Sequence, residues 1–359
     1  MNKYLNRYEY NIEPAPVTEV DSRSECIPYY DTQEYNLYLP GIHLPLFTAP
    51  MACVVDDKNY LEFYKHNIIP IIPRTVSFEK RLELMKEQVW IAVGLDEFEK
   101  FLKCPNDIKD AHVCIDIANG HMRKLINLCE LAKIKYGSNI TLMAGNVANQ
   151  GTYWEFAKAG IDYIRLGIGS GGACLTNKLT GIGVEKRSLL NNIKYAKSEI
   201  DYQLNNRKNK EIRSVPKIIY DGGCESVRDV IVTLAMGADY VMCGQIFTQA
   251  EEAAGEILYK EDWVTKTFIT EKDGKKYFVE SKAIEEIPGR MYYGMSTERA
   301  QREMGKTDIK LAEGTETWVP IKYTLNEWTE QFTFSLRSAM SYCNAKTLKD
   351  FIGKPMVRN

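Results

Sequence analysis

A chain of 359 residues, 45% of them apolar, can bury the core of one large barrel or of two ordinary domains, so length alone decides no fold. A formal net charge of -2 supplies no broad basic field, which argues against nucleic acid as the main partner and leaves small anions held locally by backbone N–H groups. No apolar run has membrane length, no signal peptide opens the chain, and the nine cysteines are scattered without a Cys-x-x-Cys pair. These features predict reduced thiols in a soluble cytosolic protein with no membrane partner, not a disulfide frame or zinc site.

Residues 1–45 are rich in Tyr, Pro and charge and read as an extended segment across the domain. Then a rhythm begins. Short apolar runs at 46–49, 68–72, 89–93, 112–117, 140–144, 163–166, 217–220 and 240–243 give eight candidate strands. Helical patterning follows several of them, at 59–66, 78–88, 123–136, 152–159 and 226–235, with Gly or Asp at several strand ends. Alternation of strand and helix implies a parallel sheet, and eight repeats closing on themselves make an α/β fold of the (β/α)8 TIM-barrel type. The competing open doubly wound sheet lacks the Gly-x-Gly-x-x-Gly turn its first half requires. Residues 187–215, with their excess of Lys and Asn, read as a long helix and a solvated loop. From 258 to 293 the rhythm stops; runs at 265–270 and 277–281 flank Asp273-Gly274, a hairpin signal, so a hairpin insertion precedes the last helix, within 325–352. The chain reads as one barrel domain over 1–359, with the N-terminal segment and the hairpin as additions to it.

A barrel opens the loops after its strands on one face, which is where the chemistry falls. After strand six, Gly167, Gly169, Gly171, Gly172 and Gly181 surround Cys174. Glycines let the backbone turn left-handed and approach a ligand or ion closely. A thiol with pKa near ~8.5 is mostly protonated at neutral pH, and nearby turn donors would activate it as a nucleophile. Read alone, Cys174 also suits a small buried hydrophobe, Asp221 in Asp221-Gly222-Gly223 a turn carboxylate, Thr176 a helix cap and Glu313 a surface acid. The histidines His43, His66, His112 and His121 show no metal spacing and read as structural.

Gly167-Ile168-Gly169, Gly171, Cys174, Thr176 and Thr180-Gly181-Ile182-Gly183 resemble the cysteine loop of the IMP dehydrogenase/GMP reductase family, Gly-Ile-Gly-Pro-Gly-Ser-x-Cys-x-Thr followed by Thr-Gly-x-Gly. Asp221-Gly222-Gly223 resembles the family's ribose-gripping loop, and the run ending Met242-Cys243-Gly244 its phosphate loop. Tyr292-Tyr293-Gly294-Met295-Ser296 resembles the purine-contacting segment, and Ala312-Glu313-Gly314 the loop of the catalytic glutamate. Ser170, Gly172 and Gln245 depart from the pattern, at a proline, a serine and a small residue respectively; the last two alter the phosphate cradle.

The resemblance implies chemistry at C2 of a purine nucleotide, GMP or IMP, through a cysteine adduct. Its reductase branch uses NADPH and its dehydrogenase branch NAD and an activated water. Only sixteen residues, 297–312, separate Gly-Met-Ser from Glu313-Gly314, and no Arg-Tyr pair lies among them, too short for the dehydrogenase flap. Asp116-Ile117-Ala118-Asn119-Gly120, Met143-Ala144-Gly145-Asn146-Val147 and Cys224 are reductase-like, whereas 93–98 looks more like the dehydrogenase. The resemblance thus implies an NADPH-dependent oxidoreductase with Cys174 as nucleophile and Thr176 with Glu313 as proton relay. Substrate would be held by Asp221, Gly222, Gly223, Gly244, Gln245, Tyr293, Gly294, Met295, Ser296 and Gly314. NADPH would lie against Asp116, Ala118, Met295 and Arg74, the last within Pro73-Arg74-Thr75-Val76, which replaces a His-Lys-His stretch. K+ would sit on carbonyls at Gly169, Gly171 and Cys174, and the assembly would be a homotetramer. A compact dehydrogenase and an idle nucleotide-binding barrel are the alternatives.

Overall fold

All eight apolar runs are parallel strands in the computed structural model, which describes residues 10–31, 41–103, 108–272, 275–309 and 314–358. They are β1 Leu46–Thr48, β2 Ile71–Ile72, β3 Trp90–Val93, β4 Ala111–Asp116, β5 Ile140–Val147, β6 Tyr163–Leu166, β7 Lys217–Asp221 and β8 Tyr240–Cys243. The sheet runs β1-β8-β7-β6-β5-β4-β3-β2. A parallel bridge between Phe47 and Ile69, with Thr48 N–H donating to Ile69 at 2.9 Å, brings β1 to the entry of β2 and closes the barrel. Strands β3, β6 and β8 are buried at every residue, which is why they read as unbroken apolar runs and not as alternation.

A helix stands outside each strand in turn: α1 Tyr60–Lys65, α2 Phe78–Lys86, α3 Leu95–Phe101, α4 Arg123–Tyr136, α5 Gln150–Ala159, α6 Lys186–Asn205, α7 Val227–Met236 and α8 Leu325–Tyr342. Local chemistry sets their ends. Asn149 caps α5 by accepting from Thr152 N–H at 2.9 Å, and Gly160 ends it at φ +82. Helix α3 has no counterpart in the sequence reading; it is seven residues long, and the Glu97 carboxylate fixes its start by accepting from Gly94 N–H at 2.8 Å.

Aromatic rings fill the N-terminal half of the barrel. Phe47, Trp90, Tyr163 and Tyr240, from β1, β3, β6 and β8, meet with ring centroids 5.1–6.1 Å apart, and His112 stacks on Trp90 at 5.1 Å. Below them Tyr30 packs on Tyr240 at 4.9 Å and donates to the Asp239 carbonyl, while His43 bonds the Tyr240 hydroxyl at 3.2 Å. The segment that carries Tyr30 thus seals the floor.

After β8 the chain leaves as a long antiparallel pair, β9 Leu258–Lys272 and β10 Lys275–Tyr293, with β11 Glu316–Pro320 added along Gly289–Tyr293 at its base. The strands run well beyond 265–270 and 277–281, because backbone pairing continues through stretches too charged to look like strand. Asp273 and Gly274 lie outside the described residues. Among the described residues no helix is long and apolar enough to cross a membrane.

Candidate active site

A cavity of about 580 Å³ opens over the C-terminal ends of the strands. Its size is that of a small-molecule pocket. Cys174, Asp116, Asp221 and the loops after β6, β7 and β8 form its walls.

Cys174 is half-buried, its N–H donating to the Gly171 carbonyl at 3.0 Å and its thiol directed at the Thr176 hydroxyl at 3.3 Å. Thr176 opens a short helix, Thr176–Thr180, which ends at Gly181 in the left-handed region. Gly169, at φ +74, packs where a Cβ would meet Asn177 at 2.6 Å, so the turn holds no larger residue. Cys174 also pairs backbone to backbone with Gly314, and Thr315 N–H donates to Ala173 at 2.9 Å. Gly314 is therefore beside the Cys174 backbone, although neither it nor Thr176 lines the cavity. Glu313 lies outside the described residues.

An arginine the sequence reading did not select organises the opposite wall. Arg165, in the middle of β6, is buried and donates to Asp116 at 2.8 Å and to Asp221 at 2.7 Å, joining the ends of β4 and β7. Burial opposes its charge, but Asp221 first, then Cys114 and Asp116, hold the guanidinium well above its ordinary pKa. Asn146 also donates to Asp221, at 2.9 Å, so one carboxylate oxygen carries two donors. Strand β5 can bring Asn146 there because Gly145 has no side chain: a Cβ would meet the Arg165 carbonyl at 2.5 Å. The Ser170 hydroxyl donates to the Asp221 carbonyl at 3.0 Å and ties the cysteine loop to the Asp221 loop. The visible signal for Arg165 was a lone charge inside an apolar strand.

Gly222, Gly223, Gly244, Gln245, Gly294, Met295 and Ser296 all line the cavity, as do Arg74, Ala118 and Gly171. Arg74 lies over Gly94, donates to the Asp116 carbonyl at 3.2 Å and stands 3.8 Å from Glu97. Tyr293 faces away. Its hydroxyl donates to Glu303 at 2.9 Å and Arg299 covers its ring at 4.7 Å, whereas neighbouring Tyr292 lines the cavity. Successive residues of a strand point to opposite faces, and β10 presents Tyr292 inward. Among the described residues no cluster of His, Cys, Asp and Glu could hold a metal ion.

The sequence compares in the same sense as the geometry. The model of the IMP dehydrogenase / GMP reductase domain matches residues 41–358. A GMP reductase of Onchocerca volvulus is 27% identical over 323 residues, which cover 86% of this chain and 78% of that protein. GMP reductase 2 of Homo sapiens is 28% identical over 257 residues, 71% of this chain and 62% of that protein. A GMP reductase of Shewanella halifaxensis (strain HAW-EB4) is 25% identical over 320 residues, covering 86% and 81%. A closed parallel barrel with this cysteine loop and this extent of match belongs to the IMP dehydrogenase/GMP reductase family of oxidoreductases.

Proposed function

We propose that the protein is a GMP reductase, converting GMP to IMP and ammonia with NADPH as reductant. The observation that carries the reading is the Cys174 thiol against the Thr176 hydroxyl, at 3.3 Å, on a cavity that also presents Asp116 and Asp221.

Cys174 attacks C2 of the purine and forms a tetrahedral adduct. Collapse of the adduct breaks the bond to the amino group, which needs a proton to leave as ammonia. In this reading Thr176 relays that proton from Glu313, acid–base help of about 10²–10⁴-fold. NADPH, when bound, would supply the hydride that reduces C2, and Cys174 leaves as the thiolate. No step needs an activated water, in keeping with the sixteen residues at 297–312 where a dehydrogenase flap would lie. Asp221, held rigid by Arg165 and Asn146, keeps its second oxygen for the ribose hydroxyls. Asp116, Ala118, Met295 and Arg74 fit the nicotinamide side, Arg74 being a cation on a wall with room for a ring. Carbonyls at Gly169, Gly171 and Cys174 are uncharged donors that suit K+ better than a divalent ion; the ion would stiffen the loop.

The test follows nicotinamide absorbance in potassium buffer with GMP plus NADPH and with IMP plus NAD, using Cys174→Ala as blank. Cysteine-dependent NADPH loss with ammonia release is expected. Turnover of IMP and NAD alone would replace the reading with a dehydrogenase. Silence in both mixtures would move it to an altered purine.

A further inference from the structure

A second cavity, also of about 580 Å³, lies outside the barrel between α7 and α8, with Tyr10, Asn11 and Ile12 along its edge. The β7–α7 loop is the partition between the two cavities, and Glu225 lines both. Nothing in the chemistry at Cys174 uses this second space. Its inner surface is largely apolar, with Ile231 and Val232 from α7 and Trp328 from α8, the last packed on Phe332 at 5.2 Å and Phe247 at 5.3 Å.

One polar group interrupts that surface. Gln249 is 5% exposed. Its backbone is fixed, the N–H donating to the Ile246 carbonyl at 3.2 Å and the carbonyl accepting from the Lys322 N–H at 2.9 Å. Its side chain lines the cavity, and the amide has no hydrogen-bond partner among the described residues. A carboxamide buried in that state costs stability until a ligand or a water answers both its NH2 and its oxygen.

The start of α7 supplies further donors to the same space. The helix has ten residues, and the N–H groups of Val227 and Arg228, its first two, have no acceptor among the described residues. Asp229 is turned aside, its carboxylate accepting from the Glu225 N–H at 3.0 Å and the Ser226 hydroxyl at 2.8 Å. The charged side chains that line the cavity are Arg228, Lys322 and Glu225. Arg228 donates to neutral acceptors, the Tyr10 carbonyl at 2.6 Å and Asn11 Oδ1 at 3.1 Å. The Lys322 ammonium has no acid against it among the described residues. Two cations and a helix start therefore outweigh one acid, which favours an anion at this end.

At the other end Gln249 calls for a planar group with a donor and an acceptor side by side. Adenine presents that pair, N6 amino and N7, to a glutamine amide, whereas guanine presents two acceptors, O6 and N7, on the same edge. We propose that the second cavity binds an adenine nucleotide, with its phosphate at the start of α7 beside Arg228 and Lys322 and its base edge on the Gln249 amide. The volume is that of a small-molecule pocket. The inference does not depend on the reaction proposed for the cavity at Cys174.

Isothermal titration of the intact protein with AMP and with adenosine tests it. AMP is expected to bind, and adenosine, which lacks the phosphate, to bind about tenfold or more weakly. Gln249→Leu and Lys322→Ala, at residues that do not line the cavity at Cys174, should each weaken AMP by about tenfold or more. No binding of AMP by the unaltered protein would leave the Gln249 amide to water and overturn the inference. Adenosine bound as tightly as AMP would do the same, as would full AMP affinity in the folded variants, which would seat AMP elsewhere. Lys322 is exposed, so Lys322→Ala decides the point if Gln249→Leu fails to fold.

Discussion

Arg165 carries a charge where a barrel strand ordinarily carries an apolar side chain, and its two carboxylate partners explain why the position tolerates it. Without the guanidinium, Asp116 and Asp221 would face a shared space with no counter-charge. Arg165→Met should therefore cost about 3–5 kcal/mol in urea unfolding and abolish activity, since both cavity-lining carboxylates lose their anchor. Arg165→Lys should keep the charge but serve one partner at a time, leaving a folded protein with weakened substrate affinity. Cys174 and Asp221 were legible in the sequence because glycines mark the turns that expose them. Arg165, Asn146 and Ser170 were not, because their partners lie far along the chain, Ser170 and Asp221 being 51 residues apart. The choice between Tyr292 and Tyr293 turns on which face of β10 points inward, and two adjacent tyrosines give no clue to that phase.

The barrel strands were legible as elements for the reason that makes them stable: burial on both faces writes an apolar run between polar punctuation. The helices on the ring were found where they are long enough to show period, as at Arg123–Tyr136, and missed at Leu95–Phe101, which is under two turns and begins on a glycine. The hairpin strands were underestimated because their pairing is satisfied by backbone alone. Beyond Asp262 and Glu285, the pairing partners of β9 residues are those of β10 and no other strand. The barrel core does not depend on them. Replacing 263–284 by an Asn-Gly turn should leave the far-ultraviolet spectrum of the barrel recognisable and Tm unchanged within about 3 °C. Loss of cooperative unfolding would show that the arm supports the fold.

Across the whole molecule, the sealed floor sets a dependence on pH. Burial pushes the His43 imidazole down to about 4, from an ordinary 6.5, with the Lys217 charge acting in the same direction. The unfolded chain then binds a proton more readily than the folded one. The stabilisation is complete above about pH 6.5, declines as pH falls and is lost through pH 4, a contribution of about 3 kcal/mol. Urea midpoints across that range should flatten in His43→Gln, which cannot take up the proton. An unchanged slope would assign the acid sensitivity to other groups.

Among the described residues, the same floor closes the cavity on the side of the N-terminal strand ends, so its opening lies at the C-terminal ends. Phe47, Trp90, Tyr163 and Tyr240 leave no passage toward the N-terminal ends of the strands. Whatever enters must leave past whatever followed it in. On the proposed function, purine and nicotinamide would have to queue, and product-inhibition patterns should be those of a compulsory sequence, with the deeper ligand trapped until the shallower one has gone.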